Sequence, residues 1–246
     1  MRIGLVVYPG VIADECDAFR SVLARMAGTR ILTVGASRGP CHGQGGVQVV
    51  DVTFDDFADP DIVIVPGGLG VERIARSELL REWLVRVEPG ARYVVSSSTG
   101  SVVLASAGLL GGAPAATHWL AADLLRRYGS EQDDRRLVVS GRIVTCQGSL
   151  SAVDAAFTLV REIEGPAAVV RIRDELIERG EPHFRSAGRW DRWWRRGTAP
   201  AARIARRESP VVAPPEQITP MSVMVELVPA DELRARRSGR RTRRQV

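Results

Sequence analysis

Three short apolar runs, each halted abruptly by proline or small residues, constrain the fold of this chain more than any other feature. Arg2–Tyr8 (RIGLVVY) stops at Pro9-Gly10, Asp61–Val65 (DIVIV) stops at Pro66-Gly67-Gly68, and Tyr93–Val95 runs into Ser96-Ser97-Ser98. None alternates polar with apolar residues, so each reads as a strand buried on both faces, as in a parallel sheet covered by helices. A helix-permissive stretch extends to about Met26. Leu79, Leu80, Trp83, Leu84 and Val87 recur at helical spacing before Pro89-Gly90. Arg30–Val34 is another apolar run, residues 39–46 read as a glycine-rich loop, and Val47–Val52 alternates like an exposed strand or hairpin. Further on, residues 99–110 and 121–128 read as helices, 137–145 as a strand or hairpin, and 151–162 and 167–179 as helices. Strands alternating with helices through short loops predict an α/β sheet with ligands outside the carboxyl ends of its strands. The loops after Tyr8, Val65 and Val95 are therefore the candidate site.

Composition divides the chain in two. All 34 basic residues are arginine, with no lysine or asparagine anywhere, a skew that fits the codon bias of a GC-rich bacterial genome and weakens arguments from arginine count. From Arg185 onward 15 arginines face 6 acids, a local net of +9, whereas the preceding residues hold 19 basic and 23 acidic groups, a net of −4. The boundary is expected near residue 180, with 1–180 as the folded domain and 181–246 as a basic, partly disordered extension. Within that extension, 197–220 reads as a linker and Met221–Val228 could add one strand. Trp190, Trp193 and Trp194 alternate with arginines, a spacing that fits either docking on protein or stacking on nucleic acid; docking is the preferred reading and nucleic acid the disfavoured one. Cys16, Cys41 and Cys146 lie at no metal-ligand spacing, so neither a metal nor a disulfide framework is expected. No run approaches the roughly 18 apolar residues of a membrane span, and the apolar start is too short for a signal peptide. A cytoplasmic protein with no membrane partner is expected.

The chemistry concentrates where a strand meets a helix at Ser96-Ser97-Ser98-Thr99-Gly100. This is the small-x-nucleophile-x-small pattern of a nucleophile elbow, whose sharp turn requires small flanking residues. The alternative is a serine-rich cap on a buried helix.

The surrounding segment, VVSSSTGSVVLASAGLLGGAPAATHW, resembles the cysteine-loop region of the ThiJ/PfpI superfamily. It is nearest the isocyanide hydratases and the amidotransferase-like domains of AraC-type regulators. Tyr8-Pro9-Gly10-Val11, Val65-Pro66-Gly67-Gly68 and Thr145-Cys146-Gln147-Gly148 agree with the same pattern. The resemblance spans about residues 2–180 and implies a flavodoxin-like, doubly wound parallel sheet with helices on both faces.

The resemblance also implies roles, position by position. The family's nucleophilic cysteine falls on Ser98, its acid on Glu15 and its nearby histidine on His118. Its oxyanion donors fall on the amides of Gly68 and Thr99, with Gly67 beside them. It implies a small-molecule substrate or ligand, a homodimer, and no cofactor. The loop after Glu15 departs from the hydratase pattern, and serine needs an adjacent base where a cysteine could ionise at a helix N-terminus. Two functions therefore stay open: an enzyme adding water or another nucleophile to a small electrophile, and a degenerate ligand-binding or regulatory protein. His118 could instead satisfy a local backbone group, and Glu15 could be a solvated acid. Cys16 beside Glu15 is read as packing rather than as a relocated nucleophile.

Overall fold

The structure, a computed structural model, describes residues 1–181; the expected tryptophan cluster, linker, added strand and basic terminus lie outside the described residues. Strands β1 (Arg2–Val6), β2 (Arg30–Gly35), β3 (Gly39–His42), β4 (Val47–Val50), β5 (Val52–Thr53), β6 (Ile62–Val65), β7 (Tyr93–Ser97), β8 (Leu137–Ser140) and β9 (Ile143–Cys146) alternate with helices. The helices are α1 (Ala13–Leu23), α2 (Val71–Ala75), α3 (Glu78–Val87), α4 (Gly100–Ser106), α5 (Ala122–Arg127), α6 (Ser149–Glu164) and α7 (Pro166–Glu178). Seven strands make one sheet in the order β5-β2-β1-β6-β7-β9-β8, parallel except for the edge strand β8, which pairs antiparallel with β9. This is the expected flavodoxin-like α/β architecture.

The central strands are buried as their unbroken apolar runs predict: every residue of β6 and β7 is buried. Over them, α6 buries ten consecutive residues from Ser151 to Val160. On α3, Leu80, Trp83, Leu84 and Val87 point inward, and the indole of Trp83 donates to Phe57 O at 2.6 Å.

Two local expectations are corrected. The segment expected as a glycine-rich loop contains β3, which forms an antiparallel hairpin with β4 outside the main sheet. Its hydrogen bonds come from tertiary pairing, which glycine content alone does not reveal. The helix expected over 99–110 is shorter, because the backbone leaves helical geometry at Ala107 and Gly108 takes a positive φ of 75°. No helix among the described residues is long and apolar enough to cross a membrane.

The connectivity locates the site. From β1 the chain moves outward to β2 and β5, then returns to β6 on the other side of β1. Loops leaving β1 and β6 therefore diverge at a topological switch point, the crevice where such sheets bind ligands. Here the two loops are stitched together. Val11 and Gly68 form a bridge, and Ile12 N donates to Gly67 O at 2.9 Å. The approach is close enough that a Cβ on Gly68 would lie 2.1 Å from Gly10 O, so only glycine fits there.

Candidate active site

Ser98 follows the last residue of β7 and has φ 52°, making it the one non-glycine residue with positive φ among those described. A left-handed conformation costs an L-residue about 1–2 kcal/mol, so the surroundings must hold it. Ser98 N donates to Cys146 O at 2.8 Å, and Ser98 O accepts from Thr117 Oγ1 at 3.1 Å and Ser101 Oγ at 3.3 Å. Small residues supply the room: a Cβ on Gly67 would sit 2.6 Å from Ser98 Cβ, and one on Gly100 would sit 2.1 Å from Val65 O. The serine-rich segment is thus a strained elbow, not a helix cap; no side-chain cap bond is made at the start of α4.

Glu15 reaches the elbow from the first turn of α1. It is 1% exposed, so it is not a solvated acid. Its Oε2 accepts from Gly67 N at 2.8 Å and from Ser97 Oγ at 2.5 Å. Its Oε1 is buried with no hydrogen-bond partner. Burial pushes the carboxyl above its ordinary range; Ser97, Gly67, and then the hydroxyls of Ser149 and Ser98 draw it partly back. Ser98 and Glu15 are therefore brought together in one buried, polar site.

The other expected residues are distributed differently. Gly67 N is given to Glu15, and Gly68 N donates to Thr99 Oγ1 at 2.9 Å, so neither glycine amide is idle. Thr99 N finds no acceptor among the described residues and lies beside the Ser98 side chain. His118 is turned to local use: its Nδ1 accepts from Leu120 N at 3.3 Å, capping a 3-10 turn over Trp119–Ala121, and its ring stacks on Trp119. No hydrogen bond links it to Ser98 or Glu15.

Four participants were not singled out from sequence. Ser97 holds Glu15, Ser149 faces its carboxyl, Thr117 secures the elbow carbonyl and Cys146 O anchors the elbow amide. Ser97 and Thr117 lie inside quoted motifs, and Ser149 directly follows one. Their partners, however, are 82 and 19 residues away for Ser97 and Thr117, beyond any local signal. The cysteines behave as packing. Cys16 is fully buried with its thiol pushed up to about 12, and burial holds the Cys146 thiol well above its ordinary range. No group of three or more potential metal ligands occurs among the described residues.

The chain is 32% identical over 187 residues to the isonitrile hydratase of Pseudomonas putida, covering 76% of this chain and 82% of that one. It is 27% identical over 147 residues to an HTH-type transcriptional regulator of Pseudomonas aeruginosa, covering 58% of this chain and 44% of the regulator. The crystal structure of a ThiJ/PfpI family protein from Pseudomonas syringae superposes with a TM-score of 0.68 at 25% identity, covering 74% of this chain and 75% of that one. A profile of the DJ-1/PfpI family matches residues 1–162, the whole sheet and the elbow included, and the chain belongs to that family.

Proposed function

We propose that this protein is a cofactor-independent enzyme that adds water, or another small nucleophile, to a small electrophile such as an isocyanide. The observation that carries the reading is the pairing of a strained Ser98 with a buried carboxyl whose Oε1 is unpartnered. In its ionised form Glu15 takes the Ser98 proton as Oγ bonds to the electrophilic carbon. It returns that proton to the atom gaining the electron pair. Water then adds to the same carbon; one of its protons goes to the nitrogen and the other, carried by Glu15, to the departing Ser98 Oγ, which frees the formamide. The Thr99 amide offers one donor to developing negative charge. Gly68 N can add a second when Thr99 Oγ1 swings away. Similarity to an isonitrile hydratase supports this chemistry, and the family resemblance supports a cytoplasmic homodimer.

A second reading has one observation in its favour. The amides of Gly67 and Gly68 are already engaged by protein groups, as suits a pocket that binds a ligand without turning it over. Similarity to a transcriptional regulator is consistent with it. Incubating the full-length protein with p-nitrophenyl isocyanide and following formamide by chromatography decides between them. Turnover that is lost in Ser98→Ala and reduced in Glu15→Gln establishes the enzyme. Absence of turnover, with the isocyanide still bound, establishes the binder.

A further inference from the structure

Ser149 opens α6, and its hydroxyl is not spent on the helix start, where no side-chain cap bond is made. Just upstream, Cys146 O takes the elbow amide of Ser98, which fixes the start of α6 beside the elbow. Helix α1, which carries Glu15, packs against α6. The Ser149 hydroxyl faces the Glu15 carboxyl, as does that of Ser98. Oε2 of that carboxyl already holds Gly67 N and Ser97 Oγ, whereas Oε1 has no hydrogen-bond partner. Ionising a carboxyl that is 1% exposed, with one oxygen bare, is costly, so the charged form draws in the nearest free donor.

The two facing hydroxyls are free at different times. In the reaction proposed above, Ser98 Oγ becomes bonded to the electrophilic carbon and has no proton to donate until the adduct breaks down. Glu15 has by then returned its proton and is ionised again. We propose that Ser149 is a positioning residue for this second half of the reaction: its hydroxyl turns to donate to Glu15 Oε1 while Ser98 is covalently occupied, and so aims the carboxylate at the incoming water. The second lone pair of Oε1 stays open for that water. The water oxygen bonds to the adduct carbon, one proton passes to the nitrogen, and the other returns through Glu15 to Ser98 Oγ. Ser149 itself gains and loses no proton. The titratable groups interacting with Glu15 are Tyr8 after β1, Cys16 on α1 and Cys146 at the end of β9; burial raises all three, and none supplies a positive charge in place of Ser149. The timing rests on the function proposed above; the pairing of Ser149 with the ionised carboxyl does not.

Two measurements on the full-length protein separate these. With p-nitrophenyl isocyanide, Ser149→Ala should lower kcat about tenfold or more, the usual worth of a hydrogen bond to a charged group, and leave kcat/KM within about threefold. Intact-mass spectrometry should then show the isocyanide adduct accumulating on Ser98, and Ser149→Thr, which keeps a hydroxyl, should restore turnover. An equal fall in kcat and kcat/KM with no adduct overturns the proposal, because a merely structural defect acts on both halves of the reaction. The second measurement needs no turnover. Infrared spectra taken between about pH 4 and 9 follow the Glu15 carboxyl, assigned as the band missing in Glu15→Gln. Ser149→Ala removes a donor to the ionised form, so the midpoint should move to higher pH, and Ser149→Thr should bring it back. A midpoint that does not move overturns the proposal whatever the isocyanide does. A moved midpoint in a protein that turns nothing over upholds the pairing and fells the enzyme reading alone.

Discussion

Ser97 Oγ donates to Glu15 Oε2 at 2.5 Å, so the serine that precedes the elbow residue fixes one oxygen of the buried carboxyl. The alternation of side chains along a strand puts Ser97 and Ser98 to opposite uses only because the chain turns sharply at Ser98. The pair therefore sets two hydroxyls at one acid, that of Ser97 bonded to Oε2 and that of Ser98 on the strained elbow.

That relationship has a pH signature. The folded Glu15 carboxyl titrates above its unfolded value, so the stability it contributes is complete below the unfolded value, about 4.5. It is lost as pH rises through the folded one. Urea denaturation between pH 4.5 and 8 should show a shallower fall in stability for Glu15→Gln than for wild type. Ser97→Ala removes a donor to the carboxylate and should steepen that fall, costing about 1–3 kcal/mol at pH 8. Parallel curves for all three proteins would contradict the assignment.

Asp154, 5% exposed on α6, is a second group of the same sign. Its carboxyl is pushed up to about 6 by burial, against the pull of Arg136 Nη2 at 2.8 Å. The Arg136 side chain is 56% exposed, so water screens much of that attraction. Asp154→Asn should abolish a loss of stability, of order 2–3 kcal/mol, that wild type suffers as pH rises from about 4 to about 6. Denaturant midpoints across that window measure it.

Gly67→Ala should be among the most damaging of the conservative substitutions. Its Cβ would meet Ser98 Cβ at 2.6 Å and Thr99 N at 2.8 Å, contacts with little freedom to move. A loss of about 1–3 kcal/mol is expected, together with any activity that depends on Ser98. A variant with wild-type stability would mean that the elbow tolerates displacement.

Ser98→Cys is nearly isosteric and should change stability by less than about 1 kcal/mol. The new thiol would lie beside the unpaired Thr99 amide. It should react with iodoacetamide at neutral pH far faster than buried Cys16, Cys41 or Cys146, whose thiols burial holds above the ordinary range. Mass mapping of alkylated peptides reads this directly. A rate no greater than theirs would count against Ser98 as the reactive position.

A fragment of residues 1–181 should fold alone. Helix α7 buries Ala168, Val169, Ile172 and Leu176 against the rest of the described residues, closing the core before the arginine-rich extension begins. Cooperative unfolding of the soluble fragment at the full-length midpoint is the expected result. An insoluble fragment would place the domain boundary later.

The sequence by itself determined the sheet and its central strands. Runs such as Asp61–Val65 carry their burial in composition and end at residues that cannot continue a strand, so local chemistry alone marks them. It also marked Ser98 and Glu15 through motif resemblance. Tertiary structure alone decided what those residues touch. The Gly67 amide serves Glu15 because the loops from β1 and β6 meet at the switch point, a consequence of strand order that periodicity does not encode. Whether His118 faced Ser98 or its own turn was likewise open until the backbone around Leu120 was placed, because a histidine ring finds partners through space, not along the chain. The hairpin of β3 and β4 was hidden for the same reason: its glycines and proline disfavour a strand locally, and pairing with residues 47–50 overrides them.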